Sequence, residues 1–296
     1  MSFLTALRPA AFLLGLALPL MTTSLMTTPV PAETTAPLEA TAEARIAALS
    51  AIFQIDPMLE VLKEEGLGYG ADLDADMLEG QGGSVWLAKV SAVYDVVRMR
   101  QLYDQAMLAE LGNDAEALAG IEGFFATDLG ARVMALELAA RRTLLDETAE
   151  AAAERSFAAV KSAGGPRLRG LADFIEVNDL IESNVMGALN ANLAFYRGLA
   201  AEGAFDGEMT EDQMLAEVWS AEADVRAETE DWLFPFLNLA YQPLTEAELQ
   251  DYVAFSRTIP GQRLNRAMFV AFDEIFAAIS LDLGRALGRE MQGQAL

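Results

Sequence analysis

One nine-residue pattern is written twice in this chain. Residues 124–132 read "FFATDLGAR" and residues 255–263 read "FSRTIPGQR", so that Phe, Thr, Gly and Arg recur at the same spacing. The interval from Phe124 to Phe255, and from Arg132 to Arg263, is 131 residues in both cases. In each copy an acid-rich segment opens a short helix, Asp114 to Ala126 and Thr245 to Arg257. Thr127 and Thr258 then stand where one helix stops and the next needs an N-cap oxygen. Pro260 falls in the first turn of the following helix, where a missing N–H costs no hydrogen bond. Gly130 and Gly261 carry no Cβ, which lets another stretch of backbone come close. Phe124 and Phe255 would anchor the apolar side of the corner, and Arg132 and Arg263 would reach carbonyls or a carboxylate across it. A 131-residue interval is too long for a solenoid repeat. The pattern predicts two related helical-hairpin halves packed together, residues 42–165 and 166–296.

The rest of the chain supports an all-α bundle or array. "ARIAALSAIFQI" sets Ile46, Leu49 and Phe53 on one helical face. Thr210 with Gln213, and Thr245 with Glu248, have capping-box spacing. "AGGPR" at 163–167 ends one helix at glycine and restarts the next at Pro166. Two-residue alternation is scarce, so strands are not expected. The glycine-rich run 66–83 reads as an interruption, with a short helix around Asp74–Glu79. Residues 173–199 read as one helix with an apolar stripe of Phe174, Ile181, Val185, Leu189 and Tyr196.

The first 32 residues read as an export signal. Arg8 precedes the apolar run "AAFLLGLALPLM" at 10–21, too short to span a bilayer, and Val30 and Ala32 suit cleavage after Ala32. Residues 33–41 would be a flexible leader. No later apolar run is long enough to span, so no transmembrane segment is expected in the mature chain. The expected location is periplasmic or secreted.

Histidine and cysteine are both absent, which removes the commonest general base, the thiolate nucleophile, soft metal ligation and disulfides together. No metal or cofactor is expected. The net charge of −25 argues against a nucleic-acid partner, because phosphate binding needs a basic surface.

Residues 243–267, "PLTEAELQDYVAFSRTIPGQRLNRA", resemble the end of an exported bacterial family catalogued as domain of unknown function 2059. The likeness rests on Leu244 to Leu249, Phe255, Thr258 to Pro260, Gly261 and Arg263. It covers 243–290 well and 114–145 weakly. Ile259 separates Thr from Pro here, and the first copy has no Pro. The resemblance implies export and helical architecture; it implies no activity.

Other constellations are less specific. Asp72, Asp74 and Asp76 alternate like the start of a calcium loop, but Met77 and Gly83 stand where that loop needs Gly and Glu. Asn178, Glu182 and Asn192 flank the apolar stripe and would line a polar cleft or tie the helix to its neighbours. Trp219, Trp232, Phe234, Phe236 and Tyr241 surround Pro235 and read as the core packing of a kinked helix. The composite expectation is a non-catalytic binding or scaffold protein, taking a protein or small-molecule partner in a groove between the halves. A carboxylate-dependent hydrolase or lyase and a chaperone-like binder of envelope clients are the alternatives.

Overall fold

A computed structural model describes residues 40–205 and 209–294; the expected signal peptide and residues 33–39 of the leader lie outside them. Among the described residues there are thirteen α-helices and no strand. The first six are α1 (Ala42–Ile52), α2 (Ile55–Met77), α3 (Gly83–Val93), α4 (Val96–Leu111), α5 (Ala115–Phe125) and α6 (Asp128–Thr143). A linking helix α7 (Glu147–Ala163) follows. Then come α8 (Pro166–Val177), α9 (Leu180–Ala201), α10 (Glu211–Ser220), α11 (Glu222–Tyr241), α12 (Glu246–Ser256) and α13 (Ile259–Gln294). The protein is an all-α helical array.

Helices α8 to α13 follow one another much as α1 to α6 do. Both α2 and α9 start after a left-handed residue, Gln54 at φ 45° and Asp179 at φ 50°. Buried positions match in register: Ile46, Leu49 and Ser50 in α1 stand as Leu171, Phe174 and Ile175 do in α8. The helices also exchange partners across the two halves, for α4 packs against α13 and α6 against α11. The main core is therefore shared between the two halves. One cluster of buried side chains runs from Ile46 to Leu287, and burial of this apolar surface is the main stabilising term. Helix α7 docks on α11 through Phe157 and Phe234, whose ring centroids are 5.2 Å apart.

Two expectations need correction. The glycine-rich run does not interrupt the chain at residue 66; α2 continues through Gly66, Gly68 and Gly70 to Met77. A helical glycine costs about 1 kcal/mol relative to alanine, but Tyr94 lies directly over Gly66 and Val90 over Gly70, in space a Cβ would occupy. Packing thus overrides propensity. The break comes later, where Asp74 accepts hydrogen bonds from the Gly82 and Gly83 amides at 2.7 and 3.3 Å. Residues 173–199 are two helices, not one. Asn178 caps the C-terminus of α8 and Asp179 turns the chain left-handed into α9.

The longest helix contact is one the sequence reading does not anticipate. α9 and α13 lie side by side and parallel, from Asn178 beside Asn265 to Gly203 beside Gln292. Their backbones touch: a Cβ on Gly198 would collide with the Leu281 carbonyl, and one on Gly284 with that of Phe195.

Candidate functional site

The two corners have the same geometry. Thr127 Oγ1 accepts from the Gly130 amide and Thr258 Oγ1 from the Gly261 amide, both at 3.1 Å. Each hydroxyl donates to the carbonyl three residues back, Phe124 or Phe255, at 2.7 Å. A Cβ on Gly130 would strike the Phe124 carbonyl and lie 2.7 Å from Phe125 Cα; on Gly261 it would strike the Phe255 carbonyl and lie 2.9 Å from Ser256 Cα. The backbone that approaches each glycine is thus the end of the preceding helix. The corners face each other, with Phe124 and Phe255 stacked at a centroid separation of 3.9 Å and 7° between planes. Pro260 seats on Gly120 of the opposite half. Arg132 pairs with Glu248 in the first turn of α12 at 2.7 Å. Arg263 pairs with Asp114, the N-cap of α5, at 3.2 Å and donates to the Glu110 carbonyl at 2.5 Å. These corners form a closed joint rather than a groove.

The three residues expected to line a polar cleft are not brought together. Asn178 is buried; its Nδ2 donates to the Phe174 carbonyl, and its own carbonyl accepts from Asn265 Nδ2 at 2.8 Å. Glu182 is half exposed and pairs with Arg226 of α11 at 2.7 Å. Asn192 is buried further along α9, about 15 Å beyond Glu182 at the helical rise of about 1.5 Å per residue.

A different residue stands out. Glu137 on α6 is fully buried, at 0% exposure. The Tyr241 hydroxyl donates to its Oε1 at 2.7 Å and the Tyr252 hydroxyl lies 3.4 Å from the same oxygen. Oε2 has no hydrogen-bond partner. Burial pushes this carboxyl well above the usual range, and the two tyrosine hydroxyls only partly offset that. Burial, then the nearby carboxylate, push both tyrosines up as well. Phe174 packs on both phenol rings, with centroids 5.3 and 4.8 Å away. One turn along α6, the buried Arg141 grips both carboxylate oxygens of Glu65 at 2.9 and 2.7 Å.

The positions of α13 at the same spacing from the corner carry apolar groups. At the 131-residue interval, Glu137 corresponds to Met268 and Arg141 to Phe272. Met268 Sδ lies 3.5 Å from the Tyr103 hydroxyl, and the Phe272 ring lies 5.8 Å from that of Tyr103. A buried carboxyl with an unpartnered oxygen costs free energy that a thioether at the same register does not. Sequence reasoning overlooked Glu137. The available signal was its place on the helical stripe of Gly130, Val133, Met134 and Leu138.

An open cavity of about 380 Å³ lies between α8 and α12. Arg169 and Asp173 of α8 and Glu246 and Gln250 of α12 line it, together with Gly170 and Leu249, which pack against each other. Arg167, beside this lining in α8, donates to the Tyr241 carbonyl at the end of α11 and to the Leu244 carbonyl in the turn that follows. Gly170 and Asp173 immediately precede the Phe174 turn, so this groove and the Glu137 centre share the α8–α12 contact. Both helices belong to the second half, so this groove is not between halves. Elsewhere, Asp273 of α13 sits against Gly187 of α9, and burial pushes its carboxyl up to about 6.

Among the described residues no helix is long and apolar enough to cross a membrane, and no three acidic side chains are clustered to hold a metal ion. No protein-family model matches the chain, and neither a curated protein nor a solved structure does. The functional reading therefore rests on the geometry.

Proposed function

We propose that the chain is an exported helical binding protein of the bacterial envelope that acts without catalysis, through the groove between α8 and α12. The observation that carries this reading is that donors and acceptors from two helices line one groove together with apolar groups. Its volume, about 380 Å³, suits a small molecule or a peptide end. Arg169 and Gln250 offer donors, and Asp173 and Glu246 offer acceptors, so the fitting ligand carries both charges, as a zwitterion or amino-acid-like end does. The apolar run at 10–21 and the resemblance of residues 243–290 to domain of unknown function 2059 support export. The matched corners and matched burial registers support descent of the two halves from one duplicated six-helix module.

Native mass spectrometry of the chain recovered from envelope extract tests the proposal. The wild type is expected to carry a bound small-molecule mass that an Arg169→Ala, Glu246→Gln double variant loses. Bare protein in both preparations overturns it.

A carboxylate-dependent hydrolase or lyase is the second reading, favoured by Glu137, a carboxyl that keeps its proton where ordinary acids lose theirs. Glu137 does not line the α8–α12 groove, which ranks this reading below binding. Exposed large apolar side chains such as Val85, Val97, Trp219 and Ile259 are spread over several helices, which gives the chaperone-like alternative little support.

A further inference from the structure

A second apolar cluster lies apart from the main core, between α9 and the pair α10–α11. Val185, Leu189, Met214, Val218 and Val225 build it. Two polar side chains on α9, Asn192 and Tyr196, stand in the same stripe one helical turn apart. Both are about 95% buried. Asn192 Nδ2 and the Tyr196 hydroxyl have no hydrogen-bond partner. Buried polar atoms are almost always paired, so two orphans in one stripe point to a partner that the protein chain does not provide.

The corresponding place in the first half is satisfied from within. There α3 lies on α2 and its two buried residues are Trp86 and Val90. The Trp86 indole N–H donates to the Gly70 carbonyl at 2.6 Å, and its rings fill the contact. In the second half the two buried residues of α10 are Met214 and Val218, at the same four-residue spacing. A flexible thioether thus replaces a large ring that brought its own hydrogen bond, and methionine adapts to a guest.

Helix α10 is also lightly held. Only Met214 and Val218 are buried along its length. Its visible tether to α9 is the Arg197–Glu211 pair on the outside, about half exposed on both sides. It joins α11 at Ala221, which offers no side-chain cap.

We propose that the packed contact between α9 and α10–α11 opens as a lidded ligand site. It takes an uncharged, largely apolar molecule bearing a carbonyl or hydroxyl oxygen. Asn192 and Tyr196 donate to that oxygen, and α10 is the lid. Burial, and after it the nearby Glu217 carboxylate of α10, hold the Tyr196 hydroxyl above its ordinary pKa, and both disfavour an anion there. This site is separate from the α8–α12 groove and does not depend on it.

Isothermal titration of the purified chain with methyl decanoate tests the proposal, with the decanoate anion as control. The ester is expected to bind saturably at one site, and the anion at least tenfold more weakly. Asn192→Leu and Tyr196→Phe should each weaken ester binding at least tenfold without lowering Tm, since each removes an orphaned polar atom. If Asn192→Leu fails to fold, Tyr196→Phe, which removes one oxygen only, decides. No saturable ester binding, or equal affinity in the folded variants, overturns the proposal. So does an ordered water joining the two polar atoms in a chain that takes up no ester.

Discussion

Replacing Glu137 by glutamine isolates one proton. The amide keeps the shape of the carboxyl and an oxygen to accept from Tyr241, now 2.7 Å from Oε1, but it cannot ionise. Burial raises the folded-state pKa of Glu137 well above the ordinary 4.5. Between those two values the folded chain holds a proton that the unfolded chain has lost. The unfolding free energy then falls as pH rises, by about 1.4 kcal/mol per pH unit for one proton. Below 4.5 both states hold the proton and the contribution is flat. Glu137→Gln removes this slope and leaves the other titrating groups in place. The assay is urea unfolding of both proteins at pH 5.5 and 6.5, with the difference between them compared across the two conditions. The expected result is that the variant gains on the wild type over that unit, by at most about 1.4 kcal/mol. Subtraction cancels the contributions of Asp273 and of the general acidity of the chain. A difference that stays constant with pH refutes the reasoning, because it means that the fold holds no extra proton on Glu137 across that window.

Two further outcomes are expected. Gly130→Ala and Gly261→Ala each force a Cβ onto the preceding carbonyl, so each should destabilise the fold by about 1–3 kcal/mol in chemical denaturation; variants as stable as the wild type would show that the corners tolerate a side chain. Asp273, pushed up to about 6 by burial, keeps its proton in the fold between the ordinary 3.8 and about 6, so stability falls as pH rises through that window. Asp273→Asn should flatten that decline, and a profile of Tm against pH that keeps its slope would exclude Asp273 as its source.

The corners were legible because their chemistry is local. A threonine that caps, a glycine that yields space and a spacing kept over nine residues all act within two turns of helix. The boundaries of α5 and α12 follow from the same cause, since Asp114 and Thr245 cap their starts. The run from Gly66 to Gly70 misled because propensity counts only the cost of a bare residue. Tyr94 and Val90 use the room that those residues leave, and they come from another helix. The break at Asn178 was hidden for a related reason. Its side chain bonds back to the Phe174 carbonyl while Asn265 of α13 holds its own carbonyl, and the second partner lies 87 residues away in sequence.

The proposed cleft of Asn178, Glu182 and Asn192 failed to assemble because a shared stripe places side chains on one line, not at one point. Different helices must converge before such residues meet. They do converge at Glu137, where α6, α11 and α12 each contribute a side chain.

By itself the amino-acid order determined the helical class, the two corners and their caps, and the absence of thiol and imidazole chemistry, for these depend on residue type and on neighbours within a few positions. Only the tertiary structure decided that the halves interlock, that Glu137 is sealed between two tyrosines, and that Asn192 Nδ2 and the Tyr196 hydroxyl are left without hydrogen-bond partners. Those outcomes depend on desolvation, and a side chain loses its water only to groups that the fold brings from distant parts of the chain.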